Sequence, residues 1–577
     1  MPHSTLCELF QATAAEGGDR PALAMPGHRG YTWAEYADVV RRLAPVFADL
    51  GVRPGEAVPI SLGPCPEFHL VDTALLHAGA VPFSLQDRDT VQHDLERVRR
   101  SQARMIVTDR ARLEQVREVA ARAGGLTIVV VDGEGATDTE LALDDLVARR
   151  SETDFDTLWR AVDAEDIATL IFTSGTTGAP KAVQLSHRAF TVSEQSTHAL
   201  APFSTYGDVL SYLPLTHTAE RFMSHYASMA YGATIHSVPD PATLYDDILR
   251  VRPTRFFGIP RVYEKLADRA HAIVDANPEL AAAVETSRTR VREVQARRTP
   301  SPELAKEADE ALATLAGVRA ALGLERAEYL GVATAPSSAA MLEFFLALGL
   351  NVSDIWGMSE IIMCTLNPPH DIRLGSVGCF LHGVEGRIAP DGEIQVRGPN
   401  AFSGYLADPE RTAELMDADG WISTGDLGAI EDGYLRIRGR KKEMLITSTG
   451  KNIAPATIEA ALKDSSPLVE HAIAIADGRR YVTAVIALEP DQLSAFAAEH
   501  GLSGTFGELA ASAEVRAALE AAVADANATL AGAETVRAFW VSAAAWSPSS
   551  DELTSTSKLR RDVIARKYAT EIERLYI

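Results

Sequence analysis

The chain is poor in cysteine. Four residues in 577, Cys7, Cys65, Cys364 and Cys379, are scattered without the close pairing of a thiolate metal site or a disulfide framework. A reducing compartment is therefore expected. Long apolar runs are also missing: no stretch reaches the roughly 18 residues of a membrane-spanning helix. No basic, apolar and small-residue succession opens the sequence, so no signal peptide is expected. Positive charge is scarce, with 55 Lys and Arg against 79 Asp and Glu and a net charge of −24. Such a balance argues against a non-specific binder of nucleic-acid backbone, although one basic nucleotide pocket is compatible with it. A soluble, cytoplasmic protein is expected, with no nucleic-acid partner and no integral membrane segment. Apolar content of 46 % and charged content of 23 % are those of a globular chain long enough for several domains.

Against these absences stands one dense stretch, Ile171-Phe172-Thr173-Ser174-Gly175-Thr176-Thr177-Gly178-Ala179-Pro180-Lys181. It follows an apolar run over 167–172 that reads as a buried strand. The glycines let backbone N–H groups turn toward an anion, the hydroxyls of Thr173, Ser174, Thr176 and Thr177 add donors, and Lys181 adds a mobile charge. The spacing is not that of a Walker A loop, because Pro180 stands where its second glycine belongs. Taken alone, the stretch is a phosphate-binding loop or a Gly/Thr-rich surface turn.

The motif T-S-G-T-T-G-x-P-K resembles the phosphate loop of the adenylate-forming superfamily, which joins acyl-CoA synthetases, luciferases and peptide-synthetase adenylation domains. Ala182 stands where members usually carry glycine. The similarity runs from about residue 6 to 576 and is closest to bacterial long-chain fatty acyl-CoA synthetases. Strand and helix patterns alternate over 1–131, predicting parallel α/β sheets. Helices are expected over 5–15, 32–50 (capped by Thr32 and stopped at Gly51) and 66–77, with strands over 57–62, 105–107 and 126–131. Residues 132–165, acidic and polar, read as a surface connection. Residues 260–322, rich in Ala, Glu, Lys and Arg, read as a helical hairpin broken near 299–302. The fold expected is α/β: a large N-terminal domain of stacked α/β sheets with a β-rich subdomain (1–438), a hinge (439–442) and a small mobile α+β C-terminal domain (443–577).

The resemblance also implies site residues. Thr173, Ser174, Gly175, Thr176, Thr177, Gly178 and Lys181 would cradle the ATP phosphates, with Thr176 a candidate Mg²⁺ ligand. Thr334 and Ala335 follow a strand and would lie along adenine. Trp356, Gly357, Ser359 and Glu360 come at a strand's C-terminal end, the ligand-binding edge of an open α/β sheet. There the ring could stack on adenine, the hydroxyl meet phosphate, and Glu360 hold Mg²⁺. Asp426, expected on a tight turn, would accept the ribose hydroxyls. Arg440 would touch ribose or phosphate and Lys442 would mark the hinge. His217, in L-P-L-T-H-T-A-E-R, would border the substrate carboxylate, with an internal salt bridge that holds the segment in shape as the runner-up reading for Glu220 and Arg221. Lys558, in T-S-T-S-K-L-R-R, would swing in to bridge the carboxylate and the α-phosphate.

The implied reaction is ATP-dependent activation of a carboxylic acid as an acyl-adenylate, with Mg²⁺, followed by transfer to CoA. Thr449 stands where a glycine is common beside the pantetheine tunnel, which leaves other acceptors open. The alternatives are adenylation of a small or aryl acid, or of nitrite, with a non-CoA acceptor such as an amine. A further alternative is an inactive nucleotide-binding or interaction protein.

Overall fold

The computed structural model describes residues 4–85, 89–133, 140–173, 180–553 and 559–577. The chain divides into two compact units. The first comprises 1–332, 343–386 and 395–423, and the second 333–342, 387–394 and 424–577.

The first unit holds two parallel sheets. In one, Val81–Ser84, Ala57–Ser61, Met105–Thr108, Thr127–Val130 and Glu140–Ala142 lie side by side. In the other, Pro21–Ala24, Thr234–Ser237, Asp208–Ser211, Arg255–Gly258, Tyr329–Val332 and Val352–Trp356 run parallel, and Thr365–Leu366 adds an antiparallel strand. These strands are buried nearly throughout, as sheets covered on both faces must be.

Local signals explain the covering helices. Thr32 caps Trp33–Asp49 in a reciprocal box with Glu35, and Gly51 follows at φ +98°, where a side chain would be strained. Pro66 opens Pro66–His77, whose side chains are almost all buried. The helical stretch after residue 260 divides into Pro260–Asp275, Pro278–Gln295, Pro302–Thr314 and Ala316–Ala321. Within it, Arg290 and Asp309 pair at 2.7 Å across the packed second and third helices.

Residues 140–165 differ from the expected surface connection. Glu140–Ala142 extends a sheet, and helices Leu143–Ala148 and Phe155–Arg160 follow. Phe155 is buried and stacks on His77. Elements of three and six residues are too short to display a hydrophobic period, so their anchors pass for isolated residues.

In the second unit, Ile422–Glu431 and Tyr434–Arg440 form a hairpin with a bulge between Leu427 and Gly428. Val469–Ile475, Val482–Leu488 and Val536–Val541 form a three-stranded sheet. Pro455–Asp464 and Ala513–Thr529 share a core with it through Ile458, Leu462, Val515 and Leu519.

Candidate functional site

The strands Ile167–Thr173 and Lys181–Ser186 are the arms of an antiparallel hairpin, with Thr173 directly opposite Lys181. Ser174, Gly175, Thr176, Thr177 and Gly178 of the connecting loop lie outside the described residues. The hairpin's second arm also pairs with Gly404–Tyr405, placing Tyr405 opposite Val183. The Lys181 ammonium therefore rests over the Tyr405 ring, 4.8 Å from its centroid. This is a cation–π contact that holds the charge without neutralising it. The Tyr405 hydroxyl donates to Glu360 Oε1 at 2.6 Å. Burial and the neighbouring carboxylate push the phenol well above its ordinary value, so Tyr405 stays a donor. Lys181, Tyr405 and Glu360 form one chain of contacts at the mouth of the hairpin. Tyr405 escaped the sequence reading, because a two-residue strand carries no periodicity.

Glu360 sits in a loop built to hold it. Trp356 ends its strand buried, and the Cys364 N–H returns to the Trp356 carbonyl at 2.9 Å. Gly357 is required by space: a Cβ there would fall against the Ile362 carbonyl and within 2.8 Å of Met363 Cα. Asn400, fully buried, donates from Nδ2 to the carbonyls of Ile361 and Met363 at 3.1 and 2.7 Å. Ile362 is held at φ +54°, costly for a β-branched residue. The Phe402 N–H bonds the Glu360 carbonyl at 2.8 Å, so both ends of Glu360 are fixed. Ser359 lies half-buried in the same loop.

Among the described residues no group of three or more His, Cys, Asp or Glu could hold a metal. A single anchored carboxylate still suits Mg²⁺ that arrives with a nucleotide, since Mg²⁺ takes one or two carboxylates and fills its remaining positions with phosphate oxygens and water.

His217 is half-buried and its Nδ1 accepts from the Ala219 N–H at 3.2 Å, capping a single helical turn. The runner-up reading of an internal Glu220–Arg221 salt bridge is not the arrangement found. Arg221 is fully buried and pairs with Asp72 at 2.6 Å, while also donating to Tyr226, Ser84 and the Leu215 carbonyl. Adjacent helical positions point apart, so Arg221 turns toward helix Pro66–His77 and Glu220 toward Ser211 Oγ, at 2.8 Å. Burial pushes the Glu220 carboxyl up to about 7. Arg221–Tyr226 is a π-helical turn, a geometry frequent at functional sites. Beside it, His225 Nε2 meets Asp72 at 3.0 Å and His225 Nδ1 meets His69 Nδ1 at 3.0 Å. Asp72 can only accept, so the His225 proton lies on Nε2 and His69 donates from Nδ1. Burial lowers both histidines and raises Asp72, but Arg221 and His225 outweigh that and keep Asp72 below its usual range.

In the second unit Asp426 lies in mid-strand, not on the expected tight turn. Gly425, at φ +73°, bends the strand so that it reads as a turn in sequence. Asp426 is buried and receives Arg440 Nε at 2.7 Å, directly across the hairpin. Arg440 is thereby oriented on the residue expected to hold ribose. Lys441 pairs with Asp391 and Glu393 at 2.6 and 2.8 Å, and Lys442 follows in a single 3₁₀ turn. Thr334 adopts φ +81°, strained for a branched residue, with Ala335 next to it. Thr449 Oγ1 bonds Thr447 Oγ1 at 2.9 Å. Lys558 lies outside the described residues.

A lysine at the closing pair of a β-hairpin, joined through Tyr405 to an anchored carboxylate within an α/β unit, is an arrangement suited to a nucleotide. Comparison with known proteins gives the family. Residues 10–406 match the AMP-binding enzyme family and 442–577 match its AMP-binding enzyme C-terminal domain. The chain belongs to the AMP-binding enzymes, the adenylate-forming superfamily, and stands close to its long-chain fatty acyl-CoA synthetases. FadD11 of Mycobacterium tuberculosis, named as a fatty-acid–CoA ligase, is 39 % identical over 76 % of this chain and 78 % of its own length. The long-chain-fatty-acid–CoA ligase FadD15 of the same species is 32 % identical over 94 % of this chain and 92 % of its own. The fold is shared with the adenylation domain of a Mycobacterium chelonae carboxylate reductase. That match has a TM-score of 0.77 at 21 % identity and covers 100 % of this chain and 92 % of the other. ATP-bound MatB from Rhodopseudomonas palustris matches with a TM-score of 0.71 at 22 % identity, covering 97 % and 99 %.

Proposed function

We propose that the protein activates a carboxylic acid with ATP as an acyl-adenylate, releasing pyrophosphate, and transfers the acyl group to CoA. The observation that carries this reading is the Lys181–Tyr405–Glu360 chain at the mouth of the phosphate hairpin. In the first half-reaction a carboxylate oxygen attacks the α-phosphorus and the bond to the leaving pyrophosphate breaks. Positioning and fixed positive charge dominate such chemistry. Lys181 leaves the Tyr405 ring for the β- and γ-phosphates, joined by Thr173, Ser174, Thr176, Thr177 and the N–H groups of Gly175 and Gly178. Glu360, oriented by Tyr405, would hold Mg²⁺ with Thr176 as a further ligand, and the ion would supply positive charge against the phosphates. Trp356, Gly357, Ser359, Thr334 and Ala335 border the nucleoside, and Asp426, aligned by Arg440, accepts the ribose hydroxyls. His217 borders the acid and Lys558 bridges it to the α-phosphate. In the second half-reaction the CoA thiolate attacks the acyl carbon and AMP leaves. A domain of residues 443–577 rotates about 439–442, with Lys442 in the hinge, between the two steps.

The setting is the cytoplasm, without a nucleic-acid partner. Among the described residues no helix is long and apolar enough to cross a membrane, and the net charge of −24 supports the same view. The Thr447–Thr449 contact favours a second reading, in which an amine or carrier thiol replaces CoA as acceptor.

The test is chromatography of nucleotide and thioester products with Mg-ATP and acids from acetate to palmitate, with aryl acids and nitrite included. Acid-dependent AMP with a CoA thioester supports the ligase. AMP without thioester moves the reading to the second acceptor class. No AMP with any acid refutes adenylation.

A further inference from the structure

Lys181 and Tyr405 meet close to where the pairing of their two segments ends. Gly404 and Tyr405 lie opposite Gln184 and Val183, and the Leu406 N–H bonds the Ala182 carbonyl at 2.9 Å. Ala407 then takes φ +52° and carries the chain out of the sheet, and Asp408 caps the helix Pro409–Leu415. On the hairpin side, Pro180 has no N–H with which to continue the ladder. The backbone alone therefore does not tie Pro180, the residue before Lys181, to the segment that carries Tyr405.

An arginine from a third element makes that tie. Helix Val91–Ser101 is seated by Val98, buried in a core cluster against which both Phe172 of the hairpin and Leu406 pack. The Arg97 guanidinium lies 6.0 Å from the Phe172 ring centroid. Arg100, in the last turn of the same helix, reaches further. Its Nη1 donates to the Pro180 carbonyl at 3.1 Å, and its Nη2 donates to the Leu406 carbonyl and to Asp408 Oδ2, both at 3.2 Å. Asp408 Oδ1 meanwhile accepts from the Arg411 N–H at 3.3 Å, and Arg411 Nε stands 3.7 Å from Oδ2.

One guanidinium thus joins the residue before Lys181 to the residue after Tyr405. The planar fork holds its two terminal nitrogens in fixed relation, so the two carbonyls are held in fixed relation as well; a lysine ammonium has no such geometry. Bonds from an ionised donor are also stronger than those between neutral groups. The Arg100–Asp408 ion pair is partly open to solvent, at 23 % and 20 % exposure, and is screened accordingly. The two carbonyl bonds, more than the ion pair, set the position of the strands.

We propose that Arg100 is a positioning residue for the β- and γ-phosphates of the nucleotide. It touches no substrate atom, but through the Pro180 and Leu406 carbonyls it fixes the places from which Lys181 and Tyr405 act. This rests on the acid-ligase reading above, in which Lys181 meets those phosphates. Arg100 then matters to ATP and little to AMP, which ends at the α-phosphate.

The test is calorimetric titration of Mg-ATP and of AMP, without acid, into the wild-type protein, Arg100→Met, Arg100→Lys and Asp408→Asn. In Arg100→Met the affinity for ATP should fall about 10- to 100-fold, the loss of one charge-assisted contact, while that for AMP changes less than about 3-fold. Arg100→Lys keeps a cation beside Asp408 but cannot span both carbonyls, and should lose ATP affinity about 10-fold; it carries the test if thermal melting shows Arg100→Met unfolded. Asp408→Asn keeps both carbonyl bonds and the helix cap, and should bind ATP within about 3-fold of the wild type. Equal losses for ATP and AMP would mean a general structural role and overturn the proposal. Unchanged ATP affinity in both Arg100 variants overturns it, and so does an Asp408→Asn as impaired as Arg100→Met. Acid-dependent AMP release by the wild type is scored separately. ATP-selective loss in a protein that releases no AMP with any acid supports the role of Arg100 and removes the ligase reading, whereas a wild type that binds neither nucleotide overturns both.

Discussion

Replacing Glu220 with glutamine tests the electrostatics of the His217 segment on a side chain whose geometry the substitution preserves. The amide keeps the shape and can still meet Ser211 Oγ, but it carries no ionisable proton. Burial pushes the native carboxyl from 4.5 up to about 7. An acid raised on folding binds its proton more tightly in the folded chain, so its contribution to stability is fully present below pH 4.5. It is lost as pH rises toward 7 and then stays lost. That rise corresponds to about 3 kcal/mol. His77 and His187, lowered by burial to about 4 and about 3, act in the opposite sense: they contribute stability above 6.5 that is lost as pH falls. They are common to both proteins and cancel in the comparison. Urea denaturation at pH 5, 6, 7 and 8 should show Glu220→Gln gaining on the wild type, from under about 1 kcal/mol at pH 5 to about 3 kcal/mol at pH 8. A constant difference across that range, or a less stable variant at pH 8, refutes the reasoning.

Other predictions follow from the same contacts. Tyr405→Phe keeps the ring under Lys181 and removes the donor to Glu360; a charged hydrogen bond of about 1.5–3 kcal/mol should appear as an about 10- to 100-fold loss in adenylation, with a raised Mg²⁺ requirement in Mg²⁺ titrations. Asp72→Asn leaves Arg221 buried without its anion and should destabilise the protein by about 3–5 kcal/mol, read by denaturation, whereas a double change of Asp72 and Arg221 to apolar residues should recover much of that loss. Gly357→Ala forces the Glu360 loop apart and should abolish AMP release while circular dichroism shows the sheets intact. Lys558→Ala should slow adenylation about 10²- to 10³-fold with ATP binding retained, as measured by equilibrium dialysis.

Much of the fold was legible because long elements announce themselves. Thr32 and Gly51 bracket one helix by capping chemistry, Pro66 opens another, and the strand expected just before Trp356 is present as Val352–Trp356. The family motifs fall on the hairpin of Ile167–Thr173 and Lys181–Ser186 and on the loop that holds Glu360. What stayed hidden depends on contacts between distant segments. Tyr405 meets Glu360 45 positions away, and Asp72 meets Arg221 across 149. Gly357 was placed with Trp356, Ser359 and Glu360 as one set of site residues, and the sequence alone did not show that its small size serves the closure of its own loop on Ile362 and Met363. Asp426 followed a Gly and resembled a turn, whereas the glycine only bends a long strand.

In the proposed reaction an acid and ATP are joined with loss of pyrophosphate. Acid-dependent exchange of labelled pyrophosphate into ATP, measured without CoA, tests it directly because it reports the reversal of that step alone. Exchange that requires both Mg²⁺ and an acid, and that falls sharply in Tyr405→Phe, is the expected result. Absence of exchange with every acid class, or formation of ADP in place of AMP, would contradict it.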